Sequence, residues 1–387
     1  MPKKHICVVT GTRAEYGILK LLLQKIRDSS KLKLSLLVTG MHLLEEYGKT
    51  IDIIRKDGIP IVKEIPMYKE KDHQKDSIGR AVGRALINFT EVLNELNPDL
   101  LLVFGDRFEA ISAVIAASTL FIPIAHIHGG DNVNIGQVDK QIRHSMTKLA
   151  HLHFPATQRS AERIRLLGEE EKRIFMVGSP SIDMIYKEKL LTKKEICEMF
   201  NFDPDEKIVL CVHHPYLSEK EDAGNQMKVI LQLLKEFRLQ TIIIYPNNDP
   251  GNELIIKEIE ANKNIPKFRI FKNLERNIYL SLLKNIDLII GNSSSGIIET
   301  PVFKLAAVNI GNRNWGREGA ENVIDVIPTY IDIKNGIKKG LSEEFRELCQ
   351  KVKNPYGDGK ASERITKILE DLKIDKEFFV KRLSYDV

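Results

Sequence analysis

Residues 100–131, LLLVFGDRFEAISAVIAASTLFIPIAHIHGGD, contain two apolar segments that each end abruptly in polar residues. The first, Leu100 to Phe104, runs into Gly105-Asp106-Arg107, and the second, Ile122 to Ile127, runs into His128-Gly129-Gly130-Asp131. Unbroken apolar runs of this length are typical of parallel strands that are buried on both faces. Because open α/β sheets bind ligands at the carboxyl ends of their strands, the stretch predicts a functional site after these two strands.

A helical pattern from Val138 to Leu149 follows and adds Asp139, Arg143 and His144 to this polar set. Asp139 and Arg143 are four residues apart and therefore share one face of the expected helix. Asp106, taken alone, could equally be a helix cap, a turn residue or a solvated side chain, and the same holds for each of the others. Together, five of these residues are more than a sheet needs in order to fold, which indicates a functional site: Asp106, His128, Asp131, Asp139 and His144.

Strand and helix patterns alternate over both halves of the chain, which predicts an α/β protein with two Rossmann-like domains facing across a cleft. We expect an N-terminal domain over residues 1–178, a C-terminal domain over residues 179–365, and a helix and tail over residues 366–387 that pack back toward the first domain. A helix is expected from Leu43 to Asp57. Residues 69–76 are polar and are interpreted as a mobile loop.

Composition excludes several classes of protein. The 387 residues include 58 Lys and Arg and 53 Asp and Glu, a net charge of +5, without the dense basic and aromatic clusters of nucleic-acid-binding proteins. The four cysteines form no CxxC pair, so neither a zinc site nor a disulfide framework is indicated, and Cys7 and Cys211 are expected in the core. No segment resembles a signal peptide or a membrane span, and a soluble protein of the reducing cytoplasm is expected.

The first predicted strand leads through Gly11-Thr12-Arg13 into a helix. Backbone amides at such a junction attract anions, and Arg13 adds a permanent charge. The glycine spacing does not match the dinucleotide-binding fingerprint.

In the second half, residues 291–299, GNSSSGIIE, combine small residues, three hydroxyls and free amides after an apolar strand. This pattern favours a phosphate-binding turn that includes Ser293 and Ser294, although serines also occur there simply as helix caps. Glu299 is expected one turn inside the following helix, as a ribose acceptor or as a charge that suits the helix start.

Two further polar groups follow predicted strands in this half. His213-His214-Pro215 offers a proton carrier near neutral pH, but a structural histidine is the more common alternative and no third metal ligand has suitable spacing. Arg313 lies in the loop GNRNWGRE, where an arginine suits a diphosphate and a solvated turn is the alternative. His126, His151 and His153 alternate with apolar residues and are interpreted as packed side chains or as residues at the sheet edge.

The motifs occur in an order that resembles a known family. They read GTRAEYG, GDRFEA, HIHGGD followed by DKQIRHSMTKLAHLH, HHP, YPNND, GNSSSGIIE, GNRNWGRE and YGDG. They are similar to the hydrolysing UDP-N-acetylglucosamine 2-epimerases of sialic acid biosynthesis and to their relatives that act on UDP-diacetylbacillosamine in legionaminic acid synthesis. The non-hydrolysing branch usually has GTRPE in the first motif, so Ala14 favours the hydrolysing branch. The resemblance implies the two-domain glycosyltransferase-B-type fold.

The resemblance also implies a mechanism and a set of residues. UDP is eliminated to leave a glycal, and water then adds to give the free 2-epimer, with neither metal nor nicotinamide. Asp106 and Asp139 match the proton-relay positions, with Asp131 or His128 assisting, and His214 matches a histidine near the diphosphate and sugar. The implied UDP-binding residues are Arg13, Arg107, His214, Asn247, Ser293, Ser294, Glu299 and Arg313.

Two departures from the family leave the assignment of acid and base open. Many relatives read HIEGGE where this chain has His128, and the segment before Asp139 is about two residues longer than in related sequences. A homodimer is a family expectation, and no nucleic acid or membrane partner is implied. The alternatives are a non-hydrolysing epimerase that releases UDP-N-acetylmannosamine, a glycosyltransferase of the same fold, and a non-catalytic nucleotide-sugar sensor.

Overall fold

The computed structural model describes residues 2–69, 77–132, 138–247 and 249–385. These residues fall into two compact units. Unit 1 contains the described residues within 1–132, 138–186 and 356–385, and unit 2 contains those within 187–355.

Unit 1 begins with regular alternation of strand and helix. Its strands are β1 (Lys4–Thr10), β2 (Leu32–Thr39), β3 (Ile61–Ile65), β4 (Leu100–Phe104), β5 (Ile124–Ile127) and β6 (Leu152–Phe154). Its helices before unit 2 are α1 (Arg13–Asp28), α2 (Ile51–Lys56), α3 (Ser77–Leu96), α4 (Phe108–Thr119), α5 (Asp139–Leu149), α6 (Gln158–Leu166) and α7 (Pro180–Ile185).

Within the described residues these strands form a six-stranded sheet in the order β3-β2-β1-β4-β5-β6, and every pair is parallel. Side chains along β1 alternate between two apolar clusters, with Ile6 and Val8 in one and Cys7 and Val9 in the other. The strand is therefore buried on both faces, which is why its sequence is continuously apolar. The strand order reverses between β1 and β4, and the gap at their carboxyl ends is where such sheets bind ligands.

Unit 2 repeats this architecture. Its strands are β7 (Ile208–Val212), β8 (Gln240–Ile244), β9 (Phe268–Phe271), β10 (Leu288–Gly291), β11 (Ala306–Ile310) and β12 (Val323–Val326). Its helices are α8 (Lys193–Phe200), α9 (Ala223–Glu236), α10 (Asn252–Ala261), α11 (Arg276–Asn285), α12 (Ser295–Ile298), α13 (Tyr330–Gly340) and α14 (Glu343–Lys351). The described strands form a parallel sheet in the order β12-β11-β10-β7-β8-β9, which reverses between β7 and β10.

The chain ends in unit 1 with α15 (Ala361–Asp371) and α16 (Lys376–Phe379). Ile365 and Leu369 of α15 join the apolar cluster that contains Ile6 and Val8. The carboxylate of Asp183 in α7 accepts the backbone N–H groups of Ala361 (2.9 Å) and Ser362 (2.6 Å). These contacts fasten the start of α15 to α7.

The α/β class and the two Rossmann-like domains are confirmed, whereas the unit boundaries differ from the expected ones. Helix α7 and residues 356–365 belong to unit 1 rather than to the second domain, since α7 packs on both α1 and α15. The helix expected from Leu43 to Asp57 is wrong, because Gly48 and Lys49 have positive φ angles and α2 begins only at Ile51. Most of the polar loop expected at residues 69–76, and residues 133–137 of the longer segment before Asp139, lie outside the described residues.

Candidate functional site

Asp106 and Asp139 lie at the carboxyl edge of the unit 1 sheet, in different electrostatic surroundings. Asp106 follows β4 and forms an ion pair with Arg143 of α5, whose second terminal nitrogen donates to the backbone oxygen of Asp131 (3.1 Å). Asp139 is the first residue of α5, and burial together with the charge of Asp106 raises its pKa. Asp106 is thus paired with a cation, whereas Asp139 binds a proton more readily than an ordinary aspartate.

His128 and Asp131 follow β5 in the same unit. The Nε2 atom of His128 lies 2.8 Å from the hydroxyl of Ser179, and its Nδ1 lies 3.9 Å from a carboxylate oxygen of Asp131. The hydroxyl of Ser160 donates to Asp131 (2.8 Å). His128 has a φ of +62°, in the left-handed region, so the backbone turns sharply where the imidazole leaves the strand. The imidazole and the carboxylate therefore lie close together at the end of β5.

Arg107 and Arg13 stand at the reversal point of the sheet. Arg107 immediately precedes α4, and its guanidinium donates twice to the Glu109 carboxylate, at 3.2 Å from both Nε and Nη2. Arg13 is exposed at the first position of α1, after the Thr12 cap. Glu15, on the same helix, is buried and close enough to Glu109 for their charges to interact.

Three other histidines of unit 1, on or next to β5 and β6, have side chains that pack against neighbouring residues. His126 is fully buried, with Nε2 2.7 Å from the backbone oxygen of Gly105, and burial lowers its pKa to about 3. His153 is fully buried against Glu169, and the ring of His151 stacks on Phe378. The interpretation of these three residues as packed side chains is confirmed.

In unit 2, His214 is fixed by its neighbours at the carboxyl edge of the sheet. Its backbone N–H donates to the side-chain oxygen of Asn292 (2.7 Å), and the Asn292 amide donates back to the His214 carbonyl (2.8 Å). The backbone N–H of Asn247 donates to Nδ1 of His214 (3.0 Å), so the proton of the neutral ring is assigned to Nε2. Burial and the charge of Arg313 lower the pKa of His214 to about 3. The ring is therefore neutral near pH 7 and presents one N–H donor.

Ser293, Ser294 and Arg313 meet around the carbonyl of Asn292. Arg313 donates to that carbonyl (3.1 Å), as does the side-chain amide of Asn314 (3.0 Å). Ser294 precedes α12 without a side-chain cap hydrogen bond, and the hydroxyl of Ser293 lies 3.1 Å from that of Ser295. Helix capping therefore does not account for the serine triplet. Asn247, near the same edge, has a buried side-chain oxygen with no hydrogen-bond partner among the described residues.

Glu299 lies elsewhere than the sequence predicted. Helix α12 ends at Ile298, so Glu299 follows this four-residue helix instead of lying one turn inside it. Its carboxylate receives two hydrogen bonds from Arg276 of α11, at 3.1 Å and 2.8 Å. The negative charge is thus balanced by an arginine, and each carboxylate oxygen keeps a lone pair for another donor.

The candidate residues thus form two groups. The unit 1 edge carries Arg13, Asp106, Arg107, His128, Asp131 and Asp139. The unit 2 edge carries His214, Asn247, Ser293, Ser294, Glu299 and Arg313. The sequence placed Arg143 on the same helix face as Asp139 without giving it a role, and it gave no indication of Glu109, Asn292 or Arg276 as site residues. The spacing of Arg143 from Asp139 was a usable signal, whereas the partners of Asn292 and Arg276 are distant in sequence.

The described residues contain no group of three His, Cys, Asp or Glu side chains placed to bind a metal ion. Within the same part of the chain, no helix has the length and apolar character needed to cross a membrane. The four cysteines are buried and unbridged, as expected for Cys7 and Cys211.

Comparison with known proteins assigns the chain to a family. The family model described as UDP-N-acetylglucosamine 2-epimerase matches residues 24–370. The chain is 40% identical over 382 residues to a UDP-N,N'-diacetylbacillosamine 2-epimerase (hydrolyzing) of Legionella pneumophila, covering 99% of this chain and 100% of the relative. The chain belongs to the UDP-N-acetylglucosamine 2-epimerase family.

Other members of this family match over most of the chain. A GDP/UDP-N,N'-diacetylbacillosamine 2-epimerase (hydrolyzing) of Campylobacter jejuni is 35% identical, over 90% of each chain. The crystal structure of UDP-GlcNAc 2-epimerase from Neisseria meningitidis bound to UDP-GlcNAc superposes with a TM-score of 0.76 at 20% identity, covering 94% of this chain and 99% of that chain. At that identity the superposition establishes the fold, a two-domain glycosyltransferase-B-type arrangement of parallel sheets.

Proposed function

We propose that the protein is a hydrolysing UDP-sugar 2-epimerase, which converts a UDP-2-acetamido sugar and water to UDP and the free 2-epimer. The observation that carries the proposal is the full-length 40% identity to a relative named as a hydrolysing 2-epimerase. The paired carboxyl groups at the unit 1 edge supply the chemistry that such a reaction requires.

Epimerisation at C2 requires that a proton leave one face of the sugar and return on the other, which calls for two acid–base groups. We assign the removal of the C2 proton to Asp139, because its raised pKa makes it a stronger base than an ordinary aspartate. Asp106, held by Arg143, supplies the second carboxylate. His128 and Asp131 assist by exchanging protons with the bound sugar or with water.

Loss of UDP places charge on the leaving diphosphate, and the unit 2 groups can stabilise that charge. Arg313 offers a permanent cation, and the Nε2–H of neutral His214 offers a hydrogen bond that does not depend on pH near neutrality. Asn247 and the hydroxyls of Ser293 and Ser294 add polar contacts. The Glu299–Arg276 pair keeps a carboxylate available for ribose hydroxyls. We also assign Arg13 and Arg107 of unit 1 to binding of the anionic UDP-sugar.

Atoms and electrons balance in both steps, the elimination and the hydration. In the first, the C2–H and C1–O bonds break, a C1=C2 double bond forms, and UDP departs with the bonding electrons. In the second, water adds across the double bond, with hydroxyl at C1 and a proton at C2. No oxidant or metal enters either step.

Product analysis tests the proposal. Free N-acetylmannosamine, or its 4-acetamido-6-deoxy analogue, is expected together with one equivalent of UDP. Epimerised UDP-sugar alone would identify a non-hydrolysing enzyme, and UDP release only in the presence of an acceptor would identify a glycosyltransferase. In deuterated water the product should carry deuterium at C2, and an unlabelled product would eliminate the mechanism.

We further propose UDP-2,4-diacetamido-2,4,6-trideoxyglucose as the preferred substrate over UDP-N-acetylglucosamine, because two relatives above 30% identity bear that activity in their names. The product would then belong to legionaminic rather than sialic acid synthesis. Parallel kcat/KM measurements on the two sugars decide between them. We also propose a cytoplasmic homodimer, in line with the buried free cysteines and the family expectation.

A further inference from the structure

Glu109 is a buried carboxylate at the reversal point of the unit 1 sheet, and the proposed mechanism gives it no role. Its side chain is 1% exposed, although it belongs to the first turn of α4, where acidic residues are usually solvated. A carboxylate that is so completely removed from water needs a cation and hydrogen bonds to remain charged. The packing around Glu109 supplies both.

The cation is Arg107. Both oxygens of Glu109 accept from its guanidinium, from Nε and from Nη2, in a bidentate pair. Such a pair fixes the plane of the guanidinium as well as its position. The Nη1 atom takes part in neither bond, and the Arg107 side chain is 38% exposed. The pair therefore leaves one edge of the guanidinium available at the end of β4.

Two glycines make room for the Glu109 side chain. A Cβ atom on Gly11, after β1, would lie 2.8 Å from Cγ of Glu109, and one on Gly40, after β2, would lie 2.6 Å from its Oε1. The hydroxyl of Tyr68 adds a long contact to Oε1 at 3.5 Å. The Glu109 side chain is thus packed close to the backbone that follows two neighbouring strands, and it occupies space that only glycine leaves open.

Glu15 lies beside this pair and stays neutral. Burial and the charge of Glu109 raise the pKa of Glu15 to about 8, while a backbone N–H from Gly11 (3.4 Å) and the charge of Arg107 oppose the rise. Glu15 is therefore mostly protonated at pH 7. Arg107 has Glu109 as its hydrogen-bonded carboxylate partner.

We propose that Glu109 is a positioning residue that holds the Arg107 guanidinium in one orientation, with its Nη1 edge presented to the anionic substrate. This inference rests on the proposed function, because Arg107 is assigned there to the UDP-sugar. Glu109 does not touch the substrate and acts only through the arginine. A lysine at position 107 could not use this support, since an ammonium has no plane to orient.

A double-mutant cycle on the full-length enzyme tests this proposal. Glu109→Gln should lower kcat/KM for the UDP-sugar by about 10-fold or more when residue 107 is arginine. In the Arg107→Lys background the same substitution should change kcat/KM by less than about 3-fold. Equal losses in the two backgrounds would overturn the proposal, because Glu109 would then act independently of the guanidinium plane.

Controls separate positioning from folding and from the proposed function. Glu171→Gln removes the carboxylate of a bidentate pair with Arg165 on the surface of the same unit, and it should leave kcat/KM unchanged. Thermal melting identifies variants that fail to fold, and if Glu109→Gln is one of them, the cycle is run with Glu109→Asp, where the same two outcomes apply. A wild-type enzyme that turns over neither UDP-sugar refutes the proposed function, whereas an active wild type with additive losses refutes only the role of Glu109.

Discussion

Asp106 and Asp139 show how neighbouring residues give two identical side chains different chemistry. The sequence predicted both as candidates, because one follows an apolar strand and the other begins a helix after the glycine pair. It could not predict how their surroundings differ. Arg143 forms an ion pair with Asp106, whereas burial and the charge of Asp106 raise the pKa of Asp139.

Replacing Asp139 with asparagine should therefore abolish turnover while sparing nucleotide binding. We expect kcat to fall by about 1000-fold, since general base catalysis contributes about 100- to 10,000-fold. The affinity for UDP, measured by calorimetry, should stay within about 3-fold. In the wild type, the acid limb of the kcat profile should lie at higher pH than an ordinary aspartate would give, because the raised pKa lets Asp139 take up its proton sooner as pH falls. A variant that retains most of its kcat would remove Asp139 from the mechanism.

The raised pKa of Glu15 leads to a prediction about stability rather than activity. Its folded-state pKa of about 8 exceeds its usual value of 4.5, so the native state holds a proton that the unfolded chain releases between these pH values. Stability should fall as pH rises through this window, with a slope from this residue of up to about 1.4 kcal/mol per pH unit. Glu15→Gln should remove that contribution, so the variant gains stability relative to the wild type between pH 5 and pH 8.

Urea denaturation at several pH values measures this effect. Lys20→Gln is a suitable control, because it alters a partly exposed ion pair on the same helix, with Asp57, and should shift stability by at most about 1 kcal/mol without this slope. Parallel stability curves for Glu15→Gln and the wild type would contradict the raised pKa.

At the scale of elements, the strands were predictable from the sequence, whereas the turns and short helices that follow them were predictable only in part. Unbroken apolar runs identified β4, β7 and β10, because a parallel strand buried on both faces has few alternatives in sequence. The helix around Glu299 was misjudged, since α12 is a single turn and propensity does not reveal where a turn this short ends. The hydrogen bonds that fix His214 to Asn292 join residues 78 apart, and no local pattern contains that information.

Gly291 ends β10 in a backbone conformation that only glycine tolerates well. Its φ is +133°, and a Cβ atom there would lie 2.0 Å from the backbone oxygen of Val212 on the neighbouring β7. Gly291→Ala should therefore force the carboxyl ends of these two strands apart. We expect a loss of at least about 2 kcal/mol in the stability of unit 2 and weaker UDP binding, because Asn292 follows directly.

Gly296→Ala provides the matched control. An added Cβ at that position meets its nearest neighbours only at 3.9 Å, an ordinary van der Waals separation, and the residue lies inside α12. Its effect on stability should stay below about 1 kcal/mol, in either direction. Similar melting temperatures for the two alanine variants would show that the β7–β10 edge tolerates the added methyl group.

At the scale of the whole molecule, the sequence predicted two Rossmann-like halves but placed their limits incorrectly. Alternating strand and helix patterns indicate how many sheets to expect, because each pattern is local. Which unit receives a helix depends on the apolar surface that is left uncovered, and that is a property of the folded unit. Helix α7 shows this dependence, because it packs on α1 near the beginning of the chain and on α15 near its end.

The return of the chain to unit 1 depends on Asp183, which yields the last prediction. The residue before α15, Lys360, makes no side-chain cap hydrogen bond, and the 1% exposed Asp183 of α7 accepts the first two N–H groups of the helix in its place. Asp183→Ala would leave both donors buried without an acceptor, at a cost of about 1–3 kcal/mol for each group. Hydrogen exchange followed by mass spectrometry should therefore show faster exchange over residues 361–371, with unit 2 unchanged. Lys367→Gln, which removes an exposed ion pair with Asp371 within α15, should leave exchange in α15 nearly as in the wild type, since such pairs contribute at most about 1 kcal/mol. If α15 exchanged at the wild-type rate in the Asp183→Ala variant, apolar packing alone would hold the C-terminal segment on unit 1.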